Sequence, residues 1–240
     1  MQTFIGLLIP FIGTTIGSLM VVFMKNKINN LMEKLLLSFA SGVMVAASIW
    51  SLILPSIEMS NTCIPAVIGF VIGIIFLIII NTVVNRINSN KKSMMIFAIT
   101  LHNIPEGMAV GVAYAASISG TTSMTYAIAF ALALGIAIQN IPEGAIISMP
   151  LKSRGYSKGK SFLVGMLSGI VEPLFGFITI LLINLIVPIL PYLLSFAAGA
   201  MMYVVIKELI PESRDDKYNL DVIGFTIGFI IMMILDVILG

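Results

Sequence analysis

Residues 101–111 read LHNIPEGMAVG, and residues 138–148 read IQNIPEGAIIS, a near copy further along the chain. Both stretches place an asparagine, a proline and a glutamate inside long apolar runs. The first adds a histidine and the second a glutamine. Because ionisable side chains are rare and usually functional in apolar membrane segments, the repeated motif predicts a functional site.

The composition of the chain indicates a membrane protein. Of its 240 residues, 59% are hydrophobic and only 10% are charged, whereas a soluble domain has about 25% charged residues. Cys63 is the single cysteine, which excludes an internal disulfide and a zinc site built from cysteines. The apolar run 4–24 is long enough to span a bilayer and follows no basic residue, so we expect a transmembrane helix there and not a cleavable signal.

The apolar runs predict an all-α fold. About 20 apolar residues are needed to cross the hydrocarbon core of a membrane. By that measure the chain contains eight transmembrane helices, near 4–24, 34–55, 65–86, 94–117, 123–149, 160–187, 190–209 and 220–239. The fifth and sixth are long, which favours a tilt or a break in them.

The basic residues predict how the helices are oriented. All 13 Lys and Arg residues lie in or beside the odd-numbered loops between these helices. Lys and Arg concentrate in the cytoplasmic loops of membrane proteins. The odd-numbered loops should therefore be cytoplasmic, and both termini should be extracytoplasmic.

The chain also contains an internal repeat. Residues 36–53 and 193–210 are identical at ten of eighteen aligned positions. Helix 3 reads IGFVIGII from Ile68, helix 8 reads IGFTIGFI from Ile223, and helices 4 and 5 share NIPEG. The members of each matched pair run in opposite directions, which predicts an inverted repeat about an axis in the membrane plane, as in many secondary transporters. The corresponding match between helices 1 and 6 is not visible in the letters.

The polar residues of helices 4, 5 and 6 predict a cation site. Residues three or four apart share a helix face, which groups His102 and Asn103 with Glu106, and places the second motif's glutamine and asparagine beside Glu143. Helix 6 adds Glu172. Each ionised group at the bilayer centre costs about 3 kcal/mol, so three glutamates cost roughly 9 kcal/mol. A divalent cation would offset that cost, and carboxylates with imidazole suit Zn²⁺ and other first-row metals. Any one asparagine or histidine could simply join two helices by a hydrogen bond worth about 1 kcal/mol.

Prolines accompany all three glutamates. Pro105, Pro142 and Pro173 each lack the N–H that would bond the carbonyl four residues earlier. We therefore expect a kink before each glutamate and a free carbonyl, that of Gly169 in the case of Pro173. Free carbonyls at membrane depth are tolerated where they line a hydrated path or a site.

At these residues the chain resembles the ZIP (Zrt/Irt-like protein) family of divalent-metal transporters, and HNIPEG followed by QNIPEG is similar to its bacterial, GufA-like branch. The resemblance covers essentially the whole chain and implies inverted 3+2+3 symmetry. It implies a two-metal centre bridged by Glu106 and Glu143, with Met44 lining the pore and Glu208 at an acidic position near the pathway. The implied ligands are His102, Asn103, Glu106, Gln139, Asn140, Glu143 and Glu172.

The resemblance also implies an activity. Residues 1–240 would form one transporter domain in which helices 1, 4, 5 and 6 slide as a transport bundle against a scaffold of helices 2, 3, 7 and 8. The cargo would be Zn²⁺ moved into the cytoplasm across a plasma (bacterial inner) membrane. Many members have histidine where this chain has Gln139, which leaves Fe²⁺, Mn²⁺ and Cd²⁺ open. We expect divalent metal ions and lipid as partners, no nucleic acid, and leave a homodimer open.

Three other classes of protein remain as alternatives. A metal-selective channel would use the same residues as a filter, and its flux would not saturate with metal concentration. An enzyme is disfavoured, because no HExxH motif is present and one histidine makes a poor catalytic zinc site. A non-transporting metal sensor would bind metal without moving it. No ATP-binding GxxxxGK[ST] motif is present either.

Overall fold

The computed structural model describes residues 2–24, 29–87, 91–119, 125–182, 185, 187–215 and 217–239, and the side chain of His102 lies outside that description. In this part of the chain the structure is helical and contains no strand. Eight long helices follow one another: α1 Gln2–Phe23, α2 Asn30–Ser60, α3 Ile64–Ile87, α4 Lys91–Ser119, α5 Tyr126–Ser153, α6 Lys158–Leu181, α7 Leu190–Ser213 and α8 Leu220–Leu239.

The helices agree with the predicted membrane spans. Among the residues that the structure describes, seven of the helices are long and apolar enough to cross a membrane. The eighth, α4, is 29 residues long and covers the span predicted at 94–117. The prediction of an all-α polytopic membrane protein is confirmed. The side of the membrane that the termini face stays a prediction.

Helix α6 is broken next to Glu172. A turn at Gly169 and Ile170 separates its two halves, Lys158–Ser168 and Val171–Leu181. The carbonyl of Gly169 accepts a 3.1 Å hydrogen bond from the backbone N–H of Glu172, so the prediction that Pro173 leaves it free is wrong. The missing N–H of Pro173 is compensated by a tighter turn. That turn places Glu172 at the start of the second half, which ends before the predicted limit of 187.

Helices α2 and α7 share an irregularity. Each contains a π-helical segment, Ser48–Ile53 in α2 and Val205–Leu209 in α7. In the alignment of the two repeats these segments start at equivalent positions. Each is followed within two residues by a proline, Pro55 or Pro211. Single-turn π-bulges are uncommon, so their recurrence at one register supports the inverted repeat.

The packing of four helices repeats at the level of single contacts. Helix α2 packs along α8, and α3 packs along α7. A Cβ atom on Gly42 would lie 2.0 Å from the carbonyl oxygen of Phe225, and one on Gly199 would lie 2.1 Å from that of Phe70. Gly42 aligns with Gly199, and Phe70 aligns with Phe225. The two interfaces are therefore built from equivalent contacts, as the predicted symmetry requires.

The same comparison relates α1 to α6. Helix α1 packs along α5, and the second half of α6 packs along α4. A Cβ atom on Gly144 would lie 2.1 Å from the carbonyl oxygen of Thr14, and one on Gly107 would lie 2.2 Å from that of Glu172. Because Gly107 and Gly144 are equivalent in the two NIPEG motifs, Thr14 and Glu172 occupy equivalent positions. The structure thus supplies the match that the sequence did not reveal.

An ion pair joins the start of α2 to the segment between α7 and α8. The ammonium of Lys34 lies 3.4 Å from the carboxylate of Asp215, which also accepts hydrogen bonds from the backbone N–H groups of Tyr218 and Leu220. Burial raises the pKa of Asp215, but these hydrogen bonds and the Lys34 charge outweigh it and lower the pKa overall. The folded protein therefore favours the ionised carboxylate.

Candidate metal centre

Three helices carry glutamates into the interior. Glu106 of α4, Glu143 of α5 and Glu172 of α6 have only 1%, 2% and 1% of their surface exposed. The carboxylates of Glu143 and Glu172 lie within electrostatic range of that of Glu106. The predicted amide ligands are buried as well: Asn103, Gln139 and Asn140. The structure therefore encloses six of the seven ligands that the resemblance implied, and the seventh, His102, has no described side chain.

Two amide side chains each hold one oxygen of a carboxylate. Nε2 of Gln139 donates to Oε1 of Glu106. Nδ2 of Asn103 donates to Oε1 of Glu172 at 3.0 Å and to the carbonyl of Ser168 at 3.3 Å. Carboxylate and carbonyl oxygens only accept, so each amide must turn its nitrogen toward them. The amide oxygens consequently point elsewhere.

Among the residues that the structure describes, several buried oxygen atoms have no hydrogen-bond donor. The amide of Asn140 lies beside the carboxylates of Glu106 and Glu172, yet neither of its polar atoms forms a hydrogen bond of normal geometry. A buried acceptor without a partner costs about 1–3 kcal/mol. A cation would satisfy such atoms together. They are Oδ1 of Asn103, Oε2 of Glu106, Oε1 of Gln139, Oδ1 of Asn140 and Oε2 of Glu172.

Helix α1 contributes a residue that the sequence did not reveal. The hydroxyl of Thr14 donates a 2.9 Å hydrogen bond to Oε1 of Glu172, and its side chain is fully buried. A single threonine in an apolar helix normally indicates packing, so the sequence alone did not predict this role. Its only trace is its place between Gly13 and Gly17, which let α1 approach α5 closely.

The described side chains of the centre offer a cation two kinds of oxygen ligand, carboxylate and amide. Among the described side chains, no three of His, Cys, Asp or Glu form a group that could hold a metal ion by themselves. The amide oxygens without hydrogen-bond donors are further atoms that a cation could bind beside the carboxylates. Oxygen ligands of this kind accept several divalent ions, whereas imidazole favours Zn²⁺ and its first-row neighbours.

Met44 and Glu208 belong to α2 and α7, which are not the helices that carry the three buried glutamates. Met44 is 1% exposed and belongs to an apolar cluster that includes Ala109 of α4 and Ile147 of α5. Glu208 is half-buried in the π-helical segment of α7. A further acid, Asp236 of α8, accepts a hydrogen bond from the hydroxyl of Ser51 in the π-helical segment of α2.

Comparison with known proteins identifies the family. The family model of the ZIP zinc transporters matches residues 89–236, which include Glu106, Glu143 and Glu172. This chain belongs to the ZIP family. The matched segment begins after α3, so Thr14 and Met44 lie outside it.

Relatives within the ZIP family extend the similarity to the whole chain. Zinc transporter ZIP11 of Xenopus tropicalis is 33% identical in an alignment that covers 100% of this chain and 98% of that protein. Human zinc transporter ZIP11 is 41% identical over 62% of this chain and 44% of its own length. Zinc transporter GufA of Myxococcus xanthus is 34% identical over 63% of this chain and 57% of its own length. The last two alignments cover about half of the length of each relative. The GufA match agrees with the resemblance to the GufA-like branch.

Proposed function

We propose that this ZIP-family protein is a secondary carrier that moves divalent transition-metal cations, zinc first among them, into the cytoplasm. The observation that carries the proposal is the set of buried carboxylate and amide oxygens without hydrogen-bond donors. At the bilayer centre, each ionised carboxylate costs about 2.5–3.5 kcal/mol on insertion scales. A divalent cation neutralises two such groups at once, which makes the cluster stable when it is loaded.

We assign two ions to the centre. His102 and Gln139 would bind one ion, and Asn103, Asn140 and Glu172 would bind the other, with Glu106 and Glu143 bridging. The hydrogen bond between Asn103 and Glu172 supports their place at one ion, since it leaves an oxygen of each side chain available. The hydrogen bond from Gln139 to Glu106 supports the other half of the assignment in the same way.

The identity of the cargo rests on the ligands and on the relatives. The similar proteins carry the name zinc transporter, and a site with one imidazole and several oxygens accepts zinc. The same set also accepts Fe²⁺, Mn²⁺ and Cd²⁺, because amide and carboxylate oxygens select weakly among divalent metals. Competition of each ion against zinc uptake would rank them.

A carrier fits the enclosure of the site better than a channel does. The three glutamates are almost completely buried. An enclosed site must open to one side at a time, which is the behaviour of a carrier built from inverted repeats.

The helix pairs support the two moving parts. In the proposed arrangement, α1, α4, α5 and α6 form the transport bundle, and α2, α3, α7 and α8 form the scaffold. The most extensive helix packing falls within these groups: α1 packs on α5, α4 on α6, α2 on α8 and α3 on α7. Motion between the groups would carry the glutamates past the apolar cluster around Met44. The basic loops support a cytoplasmic location for the Lys34 end, with both termini outside.

Uptake of zinc by proteoliposomes tests this function. Vesicles containing a zinc-sensitive dye should show uptake that saturates with zinc concentration and that Glu143→Ala nearly abolishes. Glu58→Ala is the matched control, because Glu58 is an exposed acid and its loss should leave uptake unchanged. Uptake that rises without saturation would indicate a channel, and zinc binding without uptake would indicate a sensor.

A further inference from the structure

We propose that Thr14 of α1 is a positioning residue for the metal site: its hydroxyl holds one oxygen of Glu172, so that the other oxygen faces the cation. The inference rests on the proposed function and adds a residue outside the matched family segment. It assigns to α1 a direct role in metal affinity, beyond packing against α5.

The hydrogen bonds of Glu172 are distributed unevenly between its two oxygens. Oε1 accepts from the hydroxyl of Thr14 at 2.9 Å and from the amide of Asn103 at 3.0 Å. Among the described residues, Oε2 has no hydrogen-bond partner of normal geometry, although the amide of Asn140 lies beside the carboxylate. Two donors on one oxygen fix the rotation of the carboxylate, and the bare oxygen keeps its lone pairs for a cation. Partners that orient metal ligands in this way typically affect metal affinity by about 10–100-fold.

The hydroxyl of Thr14 does not donate to a carbonyl of its own helix, as other helical threonines of this chain do. A threonine in a helix commonly donates to the carbonyl four residues earlier. Thr14 instead donates across to Glu172 of α6. Among the described threonines, the common pattern is followed by Thr15, Thr82, Thr179 and Thr226. Thr14 differs from these four in that it donates to a buried carboxylate.

The inverted repeat explains why a hydroxyl is present there. Thr14 and Glu172 are equivalent in the two repeats, as their contacts with Gly144 and Gly107 indicate, and they touch each other across the pseudo-two-fold axis. Two carboxylates in this contact would repel each other. Threonine in the first repeat therefore gives Glu172 a donor where full symmetry would give it a competing charge.

Replacement of the hydroxyl by a methyl group isolates its role. Thr14→Val keeps the shape of the side chain and should raise the KM for zinc uptake about 10-fold or more, with little change in the maximal rate. Thr14→Ser restores a donor and should return the KM close to the wild-type value. The matched control is Thr179→Val, because Thr179 is equally buried but donates within its own helix. Its KM should not change.

A double-mutant cycle tests whether Thr14 acts through Glu172. On a Glu172→Gln background, Thr14→Val should add little further loss, because the two residues belong to one interaction. Additive losses, or equal losses in Thr14→Ser and Thr14→Val, would overturn the proposal and leave a packing role. If Thr14→Val does not purify as a folded protein, Thr14→Ala enters the same cycle. If the wild-type protein shows no zinc uptake, the proposed function is refuted. If the wild type takes up zinc and Thr14→Val has the same KM, only this inference is refuted.

Discussion

Replacing Glu106 by glutamine should stabilise the metal-free protein and at the same time remove its response to zinc. Glu106 is 1% exposed, and its Oε2 has no hydrogen-bond donor among the described side chains. Glutamine has nearly the same shape, and its amide oxygen can still accept the hydrogen bond that Gln139 donates to Oε1. The substitution therefore removes a buried charge without opening a cavity.

The size of the effect follows from the cost of that charge. An ionised carboxylate at the bilayer centre costs about 3 kcal/mol, and each kcal/mol shifts Tm by about 2–4 °C in a protein of this size. Glu106→Gln should therefore raise Tm by up to roughly 10 °C in a chelator. Zinc at 100 times its Kd stabilises the wild type by about 2.7 kcal/mol, and the variant should lose most of that gain.

The fluorescence of Trp50 provides the assay. It is the single tryptophan and packs edge-on against Phe229 at the interface of α2 and α8, so its emission reports unfolding. Thermal scans in detergent would compare both proteins with chelator and with zinc, with Glu58→Gln as a control at an exposed acid. A lower metal-free Tm in Glu106→Gln, or an undiminished response to zinc, would refute the reasoning.

Three further predictions follow from the same structure. Asp215→Asn should lower Tm at neutral pH. The pKa of Asp215 is lowered from its ordinary 3.8, so the stabilisation that its carboxylate provides is complete above about that pH and is lost as the pH falls through the lowered pKa. The Tm values of variant and wild type should therefore converge in acid. Gly42→Val should reduce the yield of folded protein, since its Cβ would overlap the carbonyl of Phe225, whereas Gly135→Ala should be tolerated because nothing lies within 4 Å of the added Cβ; equal yields would contradict the packing argument. Cys63, which is exposed between α2 and α3, should react with a membrane-impermeant maleimide added to intact cells, and labelling only after lysis would reverse the predicted orientation.

The features that the sequence predicted correctly have local causes. Span positions follow from runs of apolar residues, and the repeat is visible because residues 36–53 and 193–210 kept many of the same letters. Burial of Glu106, Glu143 and Glu172 followed from their apolar neighbours. Each of these inferences needs only the residues near the feature itself.

The features that the sequence did not predict depend on contacts between distant segments. The hydroxyl of Thr14 has a role only because α1 lies against α6. The break in α6 depends on how the turn at Gly169 re-forms a hydrogen bond beside Pro173. The π-helical segments of α2 and α7 are defined by backbone hydrogen bonds, which letters encode only weakly. Met44 and Glu208 came from the resemblance, and their place along a metal pathway stays a prediction.

The contact between Gly42 and the Phe225 carbonyl also limits how the molecule can deform. A shift of α8 along α2 by about 1.5 Å, the rise of one residue, would move that carbonyl away from Gly42, whose missing Cβ makes room for it, and Gly199 restricts α7 and α3 in the same way. Each of these two interfaces therefore favours a single register of the paired helices. In the proposed sliding motion, each of these two helix pairs, α2 with α8 and α3 with α7, would therefore move as a single unit.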